Sequence, residues 1–90
     1  MTLDKKLEER IKLLHQKYKI YSPEDELICG VSGWIHVAAR SLMPNSNLRL
    51  AEDKVEVYEM SKNADKGLVD SLWGIVNSAW DIYGEVEVAR

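Results

Sequence analysis

The sequence predicts an α+β domain of three helices and a small antiparallel sheet, in the order helix, helix, strand, strand, helix, strand, with the second helix central and buried. Three observations predict it. Apolar residues recur at helical spacing in three separate stretches. The stretch between Leu27 and Met43 carries one charged residue, Arg40. Leu48-Arg49-Leu50, Val55-Glu56-Val57-Tyr58 and Glu85-Val86-Glu87-Val88 alternate apolar and polar residues with the period of a strand.

In the first helix Leu3, Leu7, Ile11, Leu14 and Tyr18 form a narrow apolar stripe, and Asp4, Lys5, Glu8, Glu9, Lys12 and Gln16 fill the remaining circumference. That is the pattern of a peripheral helix. Tyr21-Ser22-Pro23-Glu24-Asp25-Glu26 then opens the second helix: Ser22 suits the cap, Pro23 the first helical position, and three acids face the positive end of the dipole. This helix is expected over residues 23 to 42. Its apolar arc is Leu27, Ile28, Val31, Trp34, Ile35, Ala38 and Leu42. The reverse side, with Cys29, Gly30, Gly33, His36, Val37 and Ser41, is no conventional solvated face, so the helix is expected to be surrounded. Gly30 and Gly33, each costing about 1 kcal/mol against alanine inside a helix, point to close approach of another backbone or a local break.

Met43-Pro44-Asn45-Ser46-Asn47 has the composition of a loop, and the two alternating runs after it read as a hairpin around Ala51-Glu52-Asp53-Lys54, with a helix through Ala51 to Met60 as the competing reading. Ser61, Asn63 or Asp65 can cap the third helix, expected over 64 to 83 and ended by Gly84. Leu68, Val69, Leu72, Trp73, Ile75, Val76, Ala79, Trp80, Ile82 and Tyr83 fill about half its circumference, more than one neighbour covers. The opposite side carries the short residues Asp70, Ser71, Gly74, Asn77, Ser78 and Asp81. Glu85 to Val88 reads as a last short strand.

Ninety residues, 46% apolar and 30% charged, give one core and a single domain over 1 to 90. The lone cysteine, Cys29, forms no internal disulfide, no apolar signal region follows Met1, and no run approaches the length of a membrane span, so a cytoplasmic protein is expected. Charge is uneven: residues 1 to 20 carry six basic and three acidic side chains, whereas 51 to 90 carry four and nine.

Few groups have catalytic chemistry. Cys29, His36 and Arg40 share one side of the second helix, but seven residues separate Cys29 from His36, about 10.5 Å along the axis and too far for a thiol–imidazole pair. His36 and Arg40, one turn apart, form a candidate anion site. Metal binding is not expected, because one cysteine and two histidines on different helices, His15 and His36, show no ligand spacing. Asp70 and Asp81 stand three turns apart, too distant to act on one atom as acid and base. Gly30-Val31-Ser32-Gly33 is similar to the glycine loop that clamps RNA backbone in KH domains. Neither intervening residue is basic, however, and Glu24-Asp25-Glu26 lies just upstream.

The functional expectation is a non-enzymatic regulatory or adaptor protein, without cofactor, that binds a protein partner and associates as a homodimer. Its candidate contacts are Trp73 and Trp80 with Asp70, Asn77 and Asp81 on the short-residue side of the third helix. The first alternative is a nucleic-acid-binding protein that uses the basic first helix. The second is a small enzyme or anion-binding module centred on His36 and Arg40.

Overall fold

A computed structural model describes residues 3–85. Four helices follow one another: α1 Lys5–Lys17, α2 Pro23–Ala39, α3 Pro44–Glu59 and α4 Lys66–Tyr83. No strand occurs among the described residues, so the fold is an all-helical bundle and the expected α+β architecture is overturned.

The correction turns on residues 44 to 59. Pro44, Leu48, Ala51 and Val55 are buried at steps of four, three and four, the spacing of one helix face. A hairpin would have placed Leu48 beside Leu50 on one side, whereas Leu50 is 40% exposed and Leu48 fully enclosed. The β-branched character of Val55 and Val57 loses to tertiary burial, and Ala51-Glu52-Asp53-Lys54 has none of the glycine or asparagine that a tight hairpin turn requires. Pro44 opens α3 as its first residue, so the presumed loop at 44 to 47 is the first helical turn. Of the expected last strand, Glu85 is irregular and exchanges two hydrogen bonds with Asn45: its N–H donates to Asn45 Oδ1 at 2.7 Å, and Asn45 Nδ2 donates to its carbonyl at 3.3 Å. Val86 to Val88 lie outside the described residues.

The other helix starts follow their capping residues. Asp4 accepts from the N–H groups of Lys6 and Leu7, Ser22 from Asp25, and Asp65 from Leu68. Asp65 also ties three helices together: Tyr18 at the end of α1 donates its hydroxyl to Oδ2 at 2.9 Å, and the Asp65 N–H donates to the hydroxyl of Tyr58 on α3 at 2.9 Å.

Each of α2 and α4 packs against all three other helices, while α1 and α3 make no contact with each other, so α2 and α4 are the inner pair and α1 and α3 the flanks. The core is wholly apolar and is built from Leu7 and Ile11 on α1, Ile28, Val31 and Ile35 on α2, Leu48 and Val55 on α3, and Leu68, Leu72 and Ile75 on α4. The α2–α3 contact is the most extensive.

The central position of α2 does not make it enclosed. Cys29, Gly33 and Val37, one turn apart in succession, are exposed, which overturns the expectation of a helix surrounded on nearly every side. The absence of charge on that side reflects small residues, and small residues carry little apolar surface that must be hidden. Among the described residues, what lies nearest the two glycines is not the backbone of another helix. A methyl group at Gly30 would meet the aliphatic chain of Lys54, and one at Gly33 would meet nothing within 4 Å. Because Gly30 to Gly33 lie inside a helix, they form no glycine loop.

Candidate functional site

An open groove of about 670 Å³ runs between α2 and α3. Its apolar lining is Leu27 and Trp34 from α2 with Leu50, Val57 and Tyr58 from α3; Glu26, Asp53 and Lys54 supply charge of both signs. The geometry follows from the α3 register: with Leu48, Ala51 and Val55 turned into the core, Leu50 and Val57, seven residues apart, fall together on the outer margin. Val57 is 72% exposed. The alternation that imitates a strand thus belongs to a helix whose second apolar edge borders an open groove.

A second cluster joins α1 to α2. His15 Nδ1 lies 2.9 Å from Asp25 Oδ1, and the ligand-capable atoms of His15, Asp25 and Cys29 all fall within 4.8 Å of one another. Asp25 and Cys29 are one turn apart on α2, and His15 reaches them from the last turn of α1. The connection between the helices passes through Tyr21, whose φ of 67° is in the left-handed region that a bulky residue rarely adopts. The N–H of Tyr21 donates to the second carboxylate oxygen of Asp25 at 3.4 Å. Spacing along the chain does not reveal this cluster, because it forms only through the fold of residues 18 to 22.

The residues singled out from the sequence are dispersed. Trp73 and Trp80 are half-buried against the core; the Trp73 indole N–H donates to Glu59 at 3.1 Å, and that of Trp80 is enclosed with no acceptor among the described residues. Asp70, Asn77 and Asp81 are exposed on α4. What the short residues of α4 admit is α1: Arg10 crosses Gly74, and its guanidinium donates to Ser78 at 2.9 Å. Arg40 caps α2, and its Nε donates to the carbonyl oxygen of His36 at 3.4 Å. On α1 the ammonium groups of Lys5, Lys6, Lys12 and Lys17 are on exposed residues, while Arg10 is engaged on α4.

Among the described residues, two ionisable groups are clearly perturbed. Burial, together with donation to Asp65, pushes the Tyr18 hydroxyl up to about 12. The same hydrogen bond, with help from the Leu68 N–H, holds the Asp65 carboxyl below the usual carboxylate range. Both belong to the clasp at the start of α4 and serve the fold.

No helix among the described residues is long and apolar enough to cross a membrane. Comparison with protein-family models, with curated proteins and with solved structures yields no match.

Proposed function

We propose that this protein is a non-enzymatic adaptor or regulatory module that acts by protein–protein association, and that its α2–α3 groove is the face on which it forms a homodimer. The observation that carries the reading is the exposed apolar edge of α3, Leu50 and Val57, beside the partly open Leu27, Trp34 and Tyr58. Apolar side chains grouped around one concavity mark an association surface more often than scattered ones do. The favoured occupant is a second copy because the rim is self-complementary in charge. A two-fold arrangement brings Lys54 of one chain towards Glu26 and Asp53 of the other, and the reverse, with the apolar floor between them. Trp73 and Trp80 pack on the core, so the association surface proposed is on α2 and α3.

The test is light scattering on the full chain at tens of micromolar. The wild type is expected to have the mass of a dimer, and Val57→Asp, which changes an exposed position, is expected to be a folded monomer or to dissociate at least about 30-fold more readily, the range of a central interface residue. A wild type that is monomeric throughout that range, or a Val57→Asp variant that dimerises as well as the wild type, would rule the reading out.

A further inference from the structure

We propose that His15, Asp25 and Cys29 constitute a binding site for a transition-metal ion of the zinc class, with three protein ligands and a fourth position left to solvent. Every pair of candidate ligand atoms, a ring nitrogen of His15, a carboxylate oxygen of Asp25 and Cys29 Sγ, lies within 4.8 Å. A tetrahedral ion with bonds of about 2.0 to 2.3 Å holds its ligand atoms roughly 3.3 to 3.6 Å apart. Closure around an ion therefore requires movements of about 1 to 1.5 Å or less, which side-chain rotation supplies without displacing either helix. The His15–Asp25 contact, at 2.9 Å, opens slightly and Cys29, on the exposed side of α2, swings in.

The donor set selects the ion. A thiolate and an imidazole favour zinc, cobalt, nickel or copper over magnesium and calcium, which prefer oxygen throughout. One thiolate and one carboxylate also neutralise a divalent charge, so the loaded site carries no net charge near the end of α1. Binding exchanges protons in a balanced way: the metal–sulfur bond replaces the Cys29 S–H bond, whose proton passes to solvent, and His15 coordinates through one ring nitrogen and keeps its proton on the other.

The surroundings support coordination. The Tyr21 N–H holds Asp25 Oδ2, so Oδ1 is the oxygen turned to His15, the kind of outer contact that orients metal-binding carboxylates. Ser22 fixes the same residue from the other side by accepting its backbone N–H at 3.1 Å. The left-handed Tyr21 is the point at which the chain reverses to bring α2 under His15, and strained backbone at a cluster of reactive groups is a common companion of binding sites.

The experiment titrates the full chain with Co2+ as an optical probe and Zn2+ as its competitor, in reducing buffer without chelators. The expected result is one Co2+ per chain, with the visible bands of a tetrahedral site and a sulfur-to-cobalt charge-transfer band, both removed by Zn2+. Cys29→Ser is expected to abolish the charge-transfer band, and Asp25→Asn or His15→Gln to weaken binding by about tenfold or more. Circular dichroism establishes that each variant is helical. If either Asp25→Asn or His15→Gln fails to fold, the other decides together with Cys29→Ser, whose side chain lies outside the core. Absence of binding at a hundredfold excess of either ion, undiminished binding by Cys29→Ser, or a charge-transfer band that saturates at the wild-type Co2+ concentration in the folded His15→Gln and Asp25→Asn variants would overturn the proposal. The last result would mean that the thiol alone captures the ion.

Discussion

Replacing Gly33 with alanine adds one methyl group to the open side of α2, and the structure gives the sign of the effect. Gly33 is inside the helix, has no positive φ, and an added Cβ meets nothing within 4 Å. No steric term opposes the gain in helix propensity, which is about 0.8 to 1.0 kcal/mol for glycine to alanine in a helix interior. In a domain of this size a kilocalorie moves the melting temperature by about 4 to 8 °C, so Gly33→Ala is expected to melt about 3 to 8 °C higher. Far-UV circular dichroism on heating, checked by the urea midpoint, measures it. Two glycines serve as internal controls. At Gly30 the new Cβ would sit 3.0 Å from Lys54 Cδ, a flexible chain that can move aside, so the gain should be smaller. At Gly84 it would sit 2.5 Å from the carbonyl oxygen of Trp80, which is backbone and cannot yield, so a loss of about 1 to 3 kcal/mol is expected. A Gly33→Ala protein that melts at or below the wild-type temperature would refute the reasoning, for it would mean that this side of α2 is covered.

Ile35, with no exposed surface at the centre of the bundle, is expected to cost about 2 to 5 kcal/mol when cut to alanine, measured by urea denaturation; a loss under about 1 kcal/mol would contradict its place in the core. The Tyr18–Asp65 clasp gives stability a pH dependence at both ends. Asp65 has a depressed folded value, so its contribution is present above the ordinary carboxylate range and disappears as pH falls through that lowered value. Tyr18 is raised, so its contribution is present below its ordinary value of 10.0 and is lost as pH rises through about 12. Tyr18→Phe should return the Asp65 carboxyl towards its ordinary range in an NMR titration, and an unchanged Asp65 would show that the hydroxyl is not its partner.

Three of the four helices are legible in the sequence, all three by periodicity and α2 and α4 also by a capping residue. Ser22-Pro23 and the acids after it open α2, and Asp65, one of three caps considered, opens α4, which spans Lys66–Tyr83 within the expected 64 to 83. α3 is misread because both of its signals are weak. Met43 caps it without a side-chain hydrogen bond, and Val55-Glu56-Val57 shows locally the alternation of a strand, while the longer register of Pro44, Leu48, Ala51 and Val55 is helical. The groove was hidden with it, since Leu50 and Val57 become neighbours only on a helix. Composition misleads on α2 in another way: Cys29, Gly33 and Val37 lack charge, yet all three are exposed. The His15, Asp25 and Cys29 cluster could not be read from spacing, because ten residues and a left-handed turn at Tyr21 separate its two strands of sequence.

The absence of any contact between α1 and α3 has a mechanical consequence. α1 rests on its two neighbours through three buried side chains, Leu7, Ile11 and Leu14, and a few hydrogen bonds at water-accessible positions, those of Arg10, His15 and Tyr18 among them. Peeling this segment away would bare a strip of α2 and α4 yet leave the α2–α3 hairpin intact, so residues 3 to 18 are the natural breakaway unit of the molecule and its remaining three helices the part that endures.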